Sequence, residues 1–378
     1  MFVKEEALPL NRSRLLGASS LFVVFVSVIY PLLMIAYSFS GSVAIQLGAS
    51  LAGAFVFVVM IFKKTRIGES KKLGMVFMVS FLIMFGWFGA LWTGMRSYGV
   101  VLMLLSCLGV AWATLEFRLS RSVYEYPFYI FLMVTGGLVV GGVDQYEFNE
   151  ILAVGSRNVY SAILLALAVG YLFSRKIRGK NTSITLGVGL VVVSFFLYSR
   201  TGLVLAFLLF VMFVIGSGLI RPWLMFVGCL LVLLLLLVSF DVGDFFVRHS
   251  NFEKGIDSPR FAIWKSYVLD VEVFNLLFGY DLHSNKFIGE YGGNTHSAYL
   301  RLHSYFGVGL FFLLFFSLLS ILYIISAKRW FLLFLLCCFY FRAAFDPVYF
   351  IWVFDYIFYP FVFFVFFGSY CFGSEENS

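Results

Sequence analysis

Charge is what this chain has least of. Only 12% of its 378 residues are Asp, Glu, Lys or Arg, against about 25% in an ordinary soluble domain. No soluble surface can be built from that set, so the chain is expected to be an integral membrane protein. A GxxxxGK[ST] phosphate loop is absent, which disfavours a nucleotide-driven transporter. No nucleic-acid motif accompanies the net charge of +7. Metal-ligand spacing is absent too, and no metal or other cofactor is expected. The five cysteines (Cys107, Cys229, Cys337, Cys338 and Cys371) all lie in or at the end of apolar runs. They read as small buried hydrophobes, not as a disulfide framework. The two halves share no repeat, which weighs against a transporter built from inverted repeats.

What is present is apolar sequence: 62% hydrophobic residues and a mean hydropathy of +0.97. Runs of about 20 apolar residues mark membrane-spanning helices. The pattern predicts an all-α polytopic bundle, a single transmembrane domain over residues 1–378, with twelve spans. These are 15–38, 41–62, 73–93, 98–117, 124–143, 156–174, 182–199, 201–219, 222–240, 296–326, 330–345 and 350–372. The first run is too long for a signal-peptide core and reads as a retained span. Numbering the connections alternately puts seventeen Lys and Arg residues on one side of the short loops and three on the other, namely Arg96, Arg157 and Arg200. Basic residues favour the cytoplasm, so both termini are expected there. The long loop 241–295, between spans nine and ten, then lies outside and carries 13 charged side chains.

Several residues on that outer side carry chemistry. Arg200 sits between two spans with almost no loop to solvate it. It is either an anchor snorkelling to the headgroups or a group facing a polar cavity. In the long loop, Asp257 or Ser258 can cap a helix with Pro259 in its first turn, placing Arg260 at the positive helix end, a natural anion site. Phe261, Trp264 and Val268 would form its apolar face against the membrane surface. Asn294 or Thr295 can cap the tenth span and put His296 in its first turn, where the helix end disfavours imidazolium. His303 lies seven residues on, sharing that face. Arg157 and Asn158 open the sixth span, with Asp144, Glu147 and Glu150 nearby to pair with the arginines. Arg342 and Asp346 have the spacing of an i,i+4 ion pair. Taken together, the arginines suit a diphosphate at headgroup depth, because planar guanidinium groups bind phosphate oxygens bidentately. His296 beside it could deprotonate an attacking hydroxyl.

Three features carry a family resemblance. They are Ser199-Arg200-Thr201-Gly202 between two spans, Arg260-Phe261-Ala262-Ile263-Trp264 with Leu277-Phe278-Gly279 after it, and His296-Ser297 followed by Gly307-Val308-Gly309. The chain resembles the O-antigen polymerase and O-antigen ligase superfamily of bacterial inner membranes. The resemblance implies a GT-C-type glycosyltransferase bundle with one large periplasmic loop and a metal-independent glycosyl transfer at the periplasmic face. The donor would be an undecaprenyl-diphosphate-linked oligosaccharide within the lipid bilayer. Arg200, Arg260 and Arg157 would hold the diphosphate, His296 would be the catalytic base, and Asn158, His303 and Arg342 would support them. A chain-length regulator protein is a candidate partner. A ligase-like pattern of His-Asn/Ser/Gln, nine residues and Gly-x-x-Gly/Thr/Tyr fits His296, Ser297 and Gly307 but meets Leu310 at its end. With the Arg157-Asn158 start of the sixth span and 49 phenylalanines, this favours a polymerase that extends a lipid-linked chain. The alternatives are a ligase that moves the glycan to lipid A core, and a flippase or exporter that needs no chemistry.

Overall fold

The computed structural model describes residues 20–65, 68–93, 97–153, 155–218 and 260–371. The expected span over 222–240, the first part of the long loop and the Asp257–Ser258 cap lie outside the described residues. Those described form an all-helical protein without strands. Among the described residues, eight helices are long and apolar enough to cross a membrane. They are α1 (Leu21–Ser40), α2 (Val43–Phe62), α3 (Glu69–Trp92), α4 (Tyr98–Glu116), α5 (Arg121–Val140), α6 (Arg157–Ile177), α8 (Arg200–Ser217) and α12 (Gly309–Ser326). Two shorter apolar helices join them, α7 (Ile184–Phe196) and α13 (Trp330–Phe345).

The helix at the centre is α6. Its most apolar stretch is 83% buried, against 33% for α2 at the perimeter. The sequence explains this: Ser161, Ala162, Ala166, Ala168, Gly170 and Ser174 recur along α6 and are buried. Small residues let neighbouring backbones approach where lipid gives no hydrophobic drive for helix association. At the Ser174 end of α6, the buried Glu125 of α5 accepts from Arg178 at 2.6 Å and from Ser174 at 2.8 Å. A carboxylate buried in a bundle needs such paired donors.

The expected twelfth span over 350–372 is not one helix. Residues 348–354 are irregular, followed by a 3-10 turn (Asp355–Ile357) and two short helices (Tyr359–Val362 and Phe364–Cys371). From Val348 to Tyr359 every residue except Asp355 is aromatic or β-branched, the types that lose most side-chain freedom in a helix. Pro347 and Pro360 bracket the stretch. Hydropathy records its greasiness and misses its weak helix propensity. Irregular backbone at such depth survives only where protein satisfies it. Here side chains from the surrounding helices reach two of its carbonyls, Tyr124 Oη donating to Tyr356 O at 3.3 Å and Cys107 Sγ to Trp352 O at 3.3 Å, while Tyr349 Oη of the stretch itself donates to Ala162 O of α6 at 3.2 Å.

The expected tenth span over 296–326 is also broken. Helix α11 (Ala298–Phe306) ends at Gly307, and α12 begins at Gly309. Gly307 has φ +50° and a Cβ there would run into the Leu277 carbonyl. Gly279 has φ +100°, with the Ser304 carbonyl where its Cβ would be. These two glycines, singled out by the sequence motifs, let the end of the long loop seat on the helix break. Val308 N–H donates to Leu277 O at 3.1 Å and Tyr280 N–H to Ser304 O at 3.0 Å.

The described part of the loop carries helices α9 (Arg260–Asp270) and α10 (Val273–Phe278). Helix α9 is amphipathic, but the face turned inward is Ile263 and Tyr267, which pack with Tyr280, Leu282 and Ile288 into a small core of the loop's own. Phe261 and Val268, expected on a face turned to the membrane surface with Trp264, are exposed, and the Phe261 ring meets the Trp264 ring edge-on at 5.3 Å. Helix α10 docks on α3, with Trp92 Nε1 donating to Asn275 Oδ1 at 3.0 Å and Trp92 stacked on Phe274.

Gly307→Ala is expected to destabilise the protein by about 1–3 kcal/mol from backbone strain alone, and further through loss of the Leu277–Val308 bond. Thermal unfolding in detergent should show the drop, while Gly136→Ala, where a Cβ meets nothing within 4 Å, should not. Equal melting temperatures for both variants would refute the account of this joint.

Candidate functional site

The residues singled out by the sequence gather at the end of the bundle opposite the Glu125–Arg178 pair. Arg200 opens α8, with Ser199 as N-cap accepting from Gly202 N–H at 3.3 Å. Tyr198 just before it has φ +53°. The corner between α7 and α8 is therefore tight, and Arg200 stands at the mouth of α8, where backbone N–H groups add partial positive charge. An anion there meets both.

Arg260 opens α9 and is half-buried. Burial pulls its guanidinium below the usual arginine value. Asp346 opposes that shift, and the charges of Arg342 and Arg200 add to it. The charges of Arg200 from α8 and Arg342 from α13 thus both act on Arg260 of α9, beside the Asp346 carboxylate. Arg342 and Asp346 form the expected i,i+4 ion pair, and both are buried. Arg342 Nη2 also donates to the Asn158 main-chain carbonyl at 3.0 Å. Its Nη1 is buried with no hydrogen-bond partner among the described residues. Burial pushes the Asp346 carboxyl up, and Arg342 and Arg260 hold it down. Asp346, read from the sequence only as a counter-ion for Arg342, is the carboxylate around which this cluster is arranged. Asn158 takes part through its backbone, not its side chain.

Arg157 occupies the same end but a different position. Its guanidinium lies over the Tyr198 ring at 5.9 Å and Nη1 donates to Gln145 O at 3.5 Å. It braces the corner that presents Arg200. Two of the acidic residues expected to pair with it, Asp144 and Glu147, make local hydrogen bonds. Asp144 Oδ1 accepts from Tyr146 N–H at 2.6 Å and Glu147 N–H at 2.9 Å, and Glu147 Oε2 accepts from Asp144 N–H at 2.9 Å.

His296 is not in a helical turn, contrary to the expectation. Helix α11 starts at Ala298 with Ser297 at the N-cap position, and His296 precedes it with φ +49°. The capping side chains are spent on the turn. Asn294 Oδ1 accepts from His296 N–H at 2.8 Å, and Thr295 Oγ1 donates to Ser297 O at 2.7 Å. Trp264 Nε1 of α9 ties down this turn by donating to Thr295 O at 3.0 Å. Burial lowers the imidazole's proton affinity below its ordinary value, and the Arg260 charge lowers it further. A neutral imidazole at neutral pH is thus retained, with burial and Arg260 as its causes in place of a helix end.

His303, expected beside His296, is committed elsewhere. Its Nε2 meets Leu276 O at 3.1 Å and its Nδ1 meets Tyr267 Oη at 2.6 Å. A carbonyl only accepts, so Nε2 carries the proton and Nδ1 accepts from tyrosine. His303 buckles α9, α10 and α11 together. Burial lowers its proton affinity, and the bond to Leu276 O opposes that. Tyr267, which holds His303, had no signal in the sequence beyond residue type, while Trp264 and Asn294 were singled out for other roles, a membrane-facing side chain and a helix cap.

Comparison of the chain with protein-family models, with curated proteins and with solved structures gives no match.

Replacing Arg260 with Gln removes a cation beside His296 and should move the imidazole's titration to higher pH. Histidine-selective 15N NMR of the protein in nanodiscs would report it. An unmoved His296 titration would mean that Arg260 does not act on it.

Proposed function

We propose that this protein is a membrane glycosyltransferase of the O-antigen polymerase kind. It would move a growing glycan from a polyprenyl diphosphate onto a lipid-linked repeat unit at the periplasmic face of a bacterial inner membrane. The observation that supports this reading is the convergence of Arg200 and Arg342 on Arg260, with His296 under the charge of Arg260. Guanidinium groups gathered at a helix mouth suit an anion of high charge, and a diphosphate is such an anion. Apolar helices around the cluster suit its lipid tail.

In the proposed reaction the acceptor hydroxyl attacks the anomeric carbon of the donor sugar. Its proton passes to the neutral imidazole of His296. The bond from the anomeric carbon to the diphosphate oxygen breaks, and that oxygen takes the electron pair. The guanidinium groups stabilise the negative charge as it develops, the kind of preorganised stabilisation that contributes most to many enzymatic rates. The proton leaves His296 to solvent before the next cycle. Because the imidazole must be neutral, activity should fall as pH drops through its lowered titration point.

Arg200→Ala, Arg260→Ala and His296→Ala should each leave the protein in the membrane yet abolish long glycan chains. Loss of the base alone is worth about 10²–10⁴-fold in rate. Wild-type chain lengths in all three strains would sink the proposal. A deletion strain separates polymerase from ligase: one repeat unit on lipid A core marks a lost polymerase, and bare core marks a lost ligase. Arg260→Lys should also be impaired, since a point charge lacks the bidentate fork. Full activity in that variant would argue against diphosphate clamping.

A further inference from the structure

Next to the basic cluster is a cavity of about 460 Å³ that the reading above leaves unassigned. Its size lies within the roughly 300–1,000 Å³ of small-molecule sites. Three of its wall residues are immediate neighbours of the cluster. Ser156 precedes Arg157, Pro347 follows Asp346, and Asn294 accepts the backbone N–H of His296 at 2.8 Å. Whatever fills the cavity is therefore held against the same backbone that presents the candidate base and the candidate phosphate ligands.

The remaining chemistry of the walls identifies the class of occupant. A lipid tail would need uniformly apolar walls and a second phosphate predominantly cationic ones; this cavity mixes polar and apolar groups, with one guanidinium and one carboxylate among them. It brings together a carboxylate (Asp281), an imidazole (His283), a carboxamide (Asn294) and a guanidinium (Arg301). The carboxylate and the guanidinium have paired acceptors and paired donors, the geometry that meets neighbouring hydroxyls, and the imidazole and carboxamide each add both a donor and an acceptor. Tyr280 and Tyr305 add flat rings that match the C–H faces of a pyranose. The polar groups are held in place before any ligand arrives. Arg301 Nη1 donates to Pro347 O at 3.1 Å, and Asp281 Oδ1 accepts from His283 N–H at 3.1 Å. Gly293 lies flat against the His283 ring, where a Cβ would come within 3.0 Å of Nε2.

We infer that this cavity is a saccharide subsite, and that it seats a sugar of the acceptor glycan beside His296. The choice of acceptor over donor rests on the proposed function: the base must reach the attacking hydroxyl, and the cavity wall is tied to the base's own turn. The subsite would select the acceptor by its hydroxyl pattern, independently of the arginines that hold the diphosphate.

The test uses the full chain in nanodiscs and two kinds of probe. One is a set of methyl glycosides of hexoses, N-acetylhexosamines and hexuronic acids, read by saturation-transfer NMR. The other is farnesyl diphosphate, read by tryptophan fluorescence. Asp281→Asn and His283→Ala alter exposed side chains and should leave the melting temperature unchanged. Each should weaken binding of at least one glycoside by about tenfold, the loss expected when a charged or polar partner is removed, while farnesyl diphosphate binding persists. Arg260→Gln should do the reverse. If no glycoside binds, or if glycoside binding is unchanged in both cavity variants, the subsite is overturned. If farnesyl diphosphate binding ignores Arg260 while glycosides still depend on Asp281 and His283, the diphosphate reading fails and the saccharide subsite stands without its acceptor role.

Discussion

The polar end of the molecule depends on one hydrogen bond across a helix break, from Val308 N–H to Leu277 O at 3.1 Å. A helix running unbroken from 296 to 326 would keep the Val308 donor for itself and leave Leu277 O to find another partner. Gly307 ends α11 and frees that donor. The consequence passes outward through single polar contacts. Leu277 fixes α10, Leu276 O orients His303, and His303 holds Tyr267 of α9. Helix α9 then brings Trp264 to Thr295 O and Arg260 to the arginine cluster. Among apolar surroundings each such contact, if lost on one side, leaves a buried polar group costing about 1–3 kcal/mol. The loop is thus located by directional bonds, while its packing core of Ile263, Tyr267, Tyr280, Leu282 and Ile288 is small.

The cluster itself runs against local electrostatics. Arg200 stands where the α8 backbone is already positive, and Arg260 feels two other guanidinium groups against one carboxylate. Arg342 has an opposing charge built into its own helix end, as Asp346. Gathering like charges is a local inconsistency of the kind natural proteins carry mainly at functional sites, which is why the proposed function is placed here. The opposite end of the bundle shows the contrast. There Glu125 receives Arg178 and Ser174 directly, a pairing that closes on itself and asks for no ligand.

Much of the bundle was legible because length and hydrophobicity decide what crosses a membrane. Helices α2, α4, α6 and α8 lie within a few residues of the apolar runs that announced them. Failures came where a second property overrode hydropathy. The stretch from Val348 to Tyr359 is apolar but made of residues that resist helix, and it is held instead by side chains of α4 and α5 and by a bond from its own Tyr349 to the α6 backbone. At the site, the arginines were legible because a cation between apolar runs has few alternatives. The histidines were less so. A spacing of seven puts His303 under His296 only if one helix carries both, and α11 starts two residues after His296. Asn294 and Thr295 have the chemistry of helix caps, yet their side chains close the turn that precedes the helix. The Tyr267–His303 bond spans 36 positions, so nothing local could announce it.

One dipeptide joins the cluster to the cavity. Proline restricts the residue before it to extended backbone, and Asp346 has φ −137° and ψ +139°. That conformation ends α13 and turns the carboxylate back to Arg342, within reach of the Arg260 charge. The next carbonyl, of Pro347, is then presented to Arg301 at 3.1 Å, on the cavity wall. Having no N–H, Pro347 asks for no donor's partner at this crowded point. A single rigid step of backbone therefore fixes the distance between the group that balances the arginines and the group that lines the cavity. Two ligands bound on either side of it would be held in a constant relation, which a bond-forming reaction between them requires.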